Sequence, residues 1–308
     1  MRHRPASRLR LITAAVVLLL SHIAAGAAPV KPAVFDRDRP RWTALDYSAA
    51  KFLMSATARV EARVRPAQEI EAQLVDTPAG RPVTHGADVL EMTYAASGFG
   101  LKSVTTLWAD PVGGGTLQRT QLDQGSRQRQ RTYRFTDIGA YHYTRWPATS
   151  REESLSPEQW TERTEGMRPF SDGAEGKPVT EATALLWMVG AADLSKTGDR
   201  LEAFTFSRKR VNRVVVDVTG TRAVNVDFTE KDATGEHRRR GQVNALRLRV
   251  HGSPLTPASD ADEDFELLGL HGDLELLLDP KTRAPLELRG RVKIVGQVTV
   301  RLHRAVLR

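Results

Sequence analysis

Asp260, Asp262 and Asp264 stand at alternate positions, the D-x-D-x-D spacing with which a calcium loop begins. Such a loop needs glycine at its sixth position and a bidentate acid at its twelfth. Phe265 and His271 occupy those places, so the stretch reads as a solvated acidic loop. The histidines beyond residue 27 are His85, His142, His237, His251, His271 and His303. No two share the i, i+4 spacing that puts a metal-binding pair on one helix face, and H-E-x-x-H does not occur. The chain has no G-x-S-x-G elbow and no phosphate-binding loop; Gly113-Gly-Gly115 lacks the following lysine and reads as a turn. These patterns assign no catalytic residue, no metal site and no cofactor. An enzyme would require a serine, histidine and acid assembled from distant parts of the chain.

Aromatic rings are the other candidates. Trp108, Tyr133, Phe135, Tyr141, Tyr143, Trp146, Trp160 and Trp187 fall in the middle of the chain. Six of them, Trp108, Tyr133, Phe135, Tyr141, Tyr143 and Trp187, are candidate walls of an apolar ligand cavity. The alternative is that they fill the space between a sheet and a helix, since cavities and cores use the same residue types. Arg127, Arg129 and Arg131 alternate along one strand, as do Arg247 and Arg249, then Arg289, Arg291 and Lys293. An outward basic face of this kind would attract anionic headgroups or polysaccharide, or would simply be the wet side of a sheet. His237-Arg-Arg-Arg240, between Gly235 and Gly241, reads as a loop.

The elements that must position these residues begin after residue 27. Arg2, Arg4, Arg8 and Arg10, an apolar run over 11–20 and the small residues Ala25-Gly26-Ala27 form the head, centre and cleavage end of a secretory signal peptide. The apolar run is about half the ~20 residues of a membrane-spanning helix. Cleavage after Ala27 would give a periplasmic protein. The chain has no cysteine, which excludes a lipid-modified cleavage point and leaves stability to the core alone. Removing four arginines leaves 41 basic against 37 acidic residues, a mild excess. Nucleic acid is therefore not an expected partner. The expected partners are a lipid or other apolar ligand, or an envelope protein, and no transmembrane segment is expected in the mature chain.

Residues 28–41, rich in Pro, Arg and Asp, form an extended lead-in. Period-two alternation predicts strands at 56–64, 89–94, 103–108, 116–122, 128–135, 140–144, 203–206, 213–218, 223–228 and 244–250, with 113–115 and 219–221 as turns. Ser156-Pro157-Glu158-Gln159 predicts a short helix ending near Gly166. Thr180 caps a second helix over 181–192, whose broad apolar surface should pack on the sheet. From 268 to 302 almost every even position is apolar or glycine. Keeping even residues opposite even ones predicts a hairpin with loop Val295-Gly296-Gln297, pairing Val292 with Val300. Asp279-Pro280-Lys281-Thr282 makes the turn before it, and the acidic stretch 253–266 is an exposed excursion.

The stretches LDYSAAKFLMSATARVEARV, VTEATALLWMVGAADLSKTGDRL and DLELLLDPKTRAPLELRGRVKIVGQVTVRL occur in this order. The arrangement resembles an exported bacterial family called domain of unknown function 3108. The likeness covers most of the chain after residue 27. It rests on the helix before the 194–199 turn and on the 279–285 hairpin with its glycine-bearing strand pair. The long excursion at 253–266 departs from the family's pattern. The resemblance implies an exported β-rich domain and supplies no catalytic residues.

The expected fold over 42–308 is thus mainly β: a single curved antiparallel sheet or incomplete barrel with one or two packing helices. The expected function is a non-enzymatic periplasmic binding or carrier protein for an apolar or amphipathic envelope ligand. A structural or interaction module of the envelope is the second reading, and a hydrolase with a non-local site the third.

Overall fold

Alternation becomes strand where one face can be buried. In 56–64, Val60 and Ala62 are buried while Thr57, Glu61 and Arg63 are exposed, because successive side chains leave opposite faces of the chain. The structure, a computed structural model, describes residues 34–51, 54–98, 101–125, 128–170, 173–207, 210–255, 265–293 and 295–308. The signal region 1–27, Arg127, the three acids at 260, 262 and 264, and Ile294 lie outside the described residues.

The strands are β1 (Trp42–Lys51), β2 (Met54–Pro66), β3 (Asp88–Gly98), β4 (Leu101–Ala109), β5 (Thr116–Gln124), β6 (Arg129–Phe135), β7 (Gly139–Trp146) and β8 (Glu162–Pro169), then β9 (Val179–Glu181), β10 (Arg200–Ser207), β11 (Arg210–Asp232), β12 (Gly235–Pro254), β13 (Glu266–Leu267), β14 (Leu270–Leu278), β15 (Pro285–Val292) and β16 (Gly296–Leu307). They form one sheet. An antiparallel meander runs from β8 back to β1; β1 then pairs with β16, and the order continues β15, β14, β12, β11, β10, β9. Two ladders are parallel, β9 with β10 and residues 229–231 of β11 with 304–306 of β16. The second closes β11, β12, β14, β15 and β16 into a ring. The sheet is therefore curved, mainly β and mixed, close to the expected architecture.

The main core lies on one face of this sheet. Leu45, Val60, Met92 and Leu107 line it from the first half, and Val216, Leu248, Leu276 and Leu288 from the second. Helix α1 (Leu185–Ala191) sits among them with all seven residues buried, as expected of a helix that is apolar all round. Its C-terminal carbonyls need donors. Arg283, held at φ 60°, supplies them to the oxygens of Val189 (3.0 Å), Gly190 (3.1 Å), Ala192 (3.1 Å) and Leu194 (2.8 Å). Burial lowers the pKa of this guanidinium to about 10, so it stays charged at neutral pH.

The two ends of the sheet overlap. Phe135 and Tyr133 of β6 meet Phe206 of β10 at 5.9 and 6.0 Å between ring centres. Alternation puts Phe206 on the face of β10 opposite Ala203 and Thr205, and Phe170 completes the cluster.

Several local expectations are corrected. The capping box at Ser156 starts one 3-10 turn, Pro157–Gln159, not a helix to Gly166. The next residues instead pair with β7 in unbroken register, which satisfies a strand edge that a helix would leave open. The second helix is shorter than 181–192: a 3-10 turn, Ala182–Ala184, leads into α1 at Leu185, and Glu181 caps that turn, its carboxylate accepting the Thr183 amide at 2.8 Å; Thr180 faces Thr116 instead. Residues 219–221 are not a turn but a bulge inside β11, at Gly220 with φ 140°. His237 to Arg240 belong to β12. In the last hairpin even residues do oppose even ones, but Val292 faces Gly296 and Val300 faces Leu288. Gly296, at φ 76°, is the first residue of β16 and pairs with Val292, so the connection lies before Gly296 and not around it.

Candidate functional site

Among the described residues, two rows rich in small side chains line a hollow on the inner face at one end of the sheet. Ala49, Ala56 and Gly98 are partners across β1, β2 and β3, and Tyr47, Ala58 and Ala96 form the adjacent row. Alanine and glycine do not reach across the concavity. The next row, Leu45, Val60 and Tyr94, is large and joins the closed core. The result is a largely apolar cavity of about 230 Å³, whose other walls include Val300 of β16 and Leu268.

Leu268 is held there under strain. It and Gly269 connect the paired residues Leu267 and Leu270, with φ of 55° and 81°. A two-residue turn with both central residues left-handed is the I′ type, which favours Asn-Gly. A leucine in that conformation costs about 1–2 kcal/mol. The cavity walls carry no charge at working pH. Burial pushes the Tyr47 phenol up, and its OH donates to the Pro285 carbonyl at 2.9 Å. Tyr94 is pushed up to about 12 by burial, then by Glu266 and Glu181.

A polar shelf adjoins the cavity through Ser103, which lines it. Ser103 donates to Asp123 at 2.9 Å, and the Gln121 amide donates to Ser103 at 3.0 Å and to Asp123 at 2.7 Å. The other oxygen of Asp123 receives Arg129 Nε at 2.9 Å and Arg131 Nη2 at 2.8 Å. Arg119 donates to Gln121, with its Nε 3.6 Å from Glu181. The register runs Ser103–Asp123–Arg129, Thr105–Gln121–Arg131 and Leu107–Arg119–Tyr133. These residues therefore share the inner face with Leu107. Burial raises the Asp123 pKa, but Arg129, Arg131, Ser103 and Gln121 together bring it below the ordinary carboxylate value. Burial lowers that of Arg131, which Arg129 and Arg119 reinforce and Asp123 opposes. The Nε atoms of Arg119 and Arg131 are buried without a hydrogen-bond partner. Nearby His142 is pulled down by burial and by Arg168, which keeps it neutral at pH 7.

The six aromatic candidates do not surround one cavity. Trp108 lies on the opposite face from Leu107, packed with Ile70, Val89 and Leu117, its indole 3.4 Å from Glu91. Phe135 belongs to the overlap cluster. Tyr141 and Tyr143 are half-buried on the other face of β7 from His142; Tyr141 donates to Glu165, and Arg145 stacks on Tyr143. Trp187 is sealed in the main core beside Phe35. Tyr133 alone touches the shelf, 5.7 Å from the Arg119 guanidinium carbon. Arg129 and Arg131 are on the inner face, not the outer face expected of them. Arg247 does face outward, paired with Glu275 at 2.5 Å. The small-residue rows were within reach of the sequence: alanines at 56 and 58 on an apolar strand face are too small to fill a core.

Among the described residues, Glu230, Asp232 and His237 at the β11–β12 tip approach one another closely enough for a metal. Glu230 already receives Arg239 and His237, and Asp232 receives Thr234, so these groups hold the hairpin. No protein family, curated protein or solved structure matches this chain.

Proposed function

We propose that this is a non-enzymatic periplasmic carrier or binding protein for a ligand bearing an alkyl chain. The observation that supports it is the unfilled, uncharged cavity between the alanine rows and the strained Leu268. Strain of this kind persists where surrounding structure imposes it, and it gathers at ligand clamps. About 230 Å³ exceeds the ~150 Å³ cavity that admits benzene, so one alkyl chain end fits. The basic head, apolar centre and A-x-A end of residues 1–27 support export, and the resemblance to the exported family of unknown function agrees with it.

The test is binding of a fluorescent fatty-acid analogue to delipidated protein, with native mass spectrometry of protein taken from the periplasm. Saturable binding at micromolar concentration is expected. Ala58→Phe, which fills the cavity, should abolish it, and Ala96→Leu should weaken it. If the delipidated wild type binds neither the probe nor an envelope lipid extract, the carrier reading is wrong and an envelope interaction module replaces it.

A further inference from the structure

The shelf beside the cavity gathers more guanidinium than carboxylate groups. Arg119, Arg129 and Arg131 face Asp123 and Glu181, which leaves one positive charge in excess. Arg119 and Arg131 are largely withdrawn from water, with side chains 22% and 19% exposed. They are diagonal neighbours on one face, and such neighbours on adjacent strands are within reach of long side chains. Arg131 also keeps a buried Nε–H without an acceptor, and that of Arg119 has only Glu181 at 3.6 Å, beyond hydrogen-bond distance. A buried donor left unmade is costly, and guanidinium is the group best shaped for a carboxylate or phosphate. Ser103 belongs both to this network and to the cavity wall, so a single molecule can span the two.

We propose that the bound ligand ends in an anion, a carboxylate or a phosphate, received by Arg119 and Arg131 while its alkyl chain enters the cavity past Ser103. This rests on the carrier reading and names the chemistry of the ligand's polar end. Asp123 acts as a positioning residue: it fixes Arg131 and Arg129 and takes up part of their charge, so that only one anionic group is accommodated. Tyr133, beside Arg119, closes the shelf toward the overlap of the sheet ends.

The experiment compares dodecanoate, dodecyl phosphate, dodecanol and dodecyltrimethylammonium by titration calorimetry on the delipidated full chain. One or both anions should bind about ten- to a hundredfold more tightly than the alcohol, the range expected for charge-assisted hydrogen bonds. The cation should bind more weakly than the alcohol. Arg131→Gln and Arg119→Gln should bring the anions to the level of dodecanol and leave dodecanol within about twofold. Asp123→Asn should tighten anion binding. The better of the two anions identifies the headgroup. Equal affinity of the wild type for dodecanoate, dodecyl phosphate and dodecanol would overturn this inference while leaving the carrier reading intact. Binding of none of the four would remove both. Because the wild-type comparison decides the matter, the test survives a variant that fails to fold.

Discussion

Leu268→Asn separates a ligand wall from a core residue. Leu268 is half-buried and packs on the edge of the main core. Losing about half of a leucine's burial, worth ~1.5–3 kcal/mol when complete, removes roughly 1 kcal/mol of stability. Asparagine tolerates the left-handed conformation that leucine resists, which returns about 1 kcal/mol. The net change in unfolding free energy, read by urea denaturation, should stay within ~1 kcal/mol of zero. Ligand binding has no such compensation. The variant loses a leucine contact and places an amide against an alkyl chain, so affinity for the fluorescent fatty-acid analogue should fall about five- to tenfold. A loss of 3 kcal/mol or more would show Leu268 to be ordinary core. Unchanged affinity in a stable variant would show that the cavity is not where the chain binds.

Trp187→Ala should cost about 3–5 kcal/mol in the same denaturation assay, because the ring is sealed in the core and away from the cavity. Arg283→Met should lower the melting temperature by removing four carbonyl partners at the end of α1, a loss of about 2 kcal/mol or more. Glu91 and Asp123 both lie below the ordinary carboxylate pKa, Glu91 because Arg63, Arg65 and Trp108 outweigh its burial. The unfolded chain then binds more protons than the folded one, so stability should fall as pH drops below about 4, and Glu91→Gln with Asp123→Asn should flatten that slope. In this cysteine-free chain, Leu288→Cys with Val300→Cys should oxidise to a disulfide, whereas Val292→Cys with Val300→Cys should not.

Which residues share a face was legible in the sequence; which face turns inward was not. Arg129 and Arg131 have the same parity as Tyr133 and Phe135, and all four lie on the inner face. Parity fixes the pairing of neighbours but not the direction in which a sheet curls, so the arginines read as an outer stripe. The even face of the last hairpin was readable for the same reason, while its register depended on Gly296 opening β16 and pairing with Val292. The 219–221 segment looks like a turn because a bulge and a turn both favour glycine. The cavity needed more than local pattern. Its floor is one row drawn from Ala49, Ala56 and Gly98, and its strained wall is a Leu-Gly pair where turn chemistry would call for Asn-Gly.

The ladder between β1 and β16 has a consequence for how the molecule is made. Among the described strands it is the one pairing that joins the β8-to-β1 meander to the rest of the sheet. Its two partners are separated in the chain by residues 52–295. The meander can form from either end as its strands become available, since each strand pairs with the one just before it. Meanwhile β1 waits with one open edge, bearing Leu45 and Tyr47, until the sixteenth strand emerges. Open apolar edges are where chains join the wrong neighbour. The hazard of misassembly is thus concentrated on a single strand, and its duration is set by the rate at which the remainder of the chain is delivered.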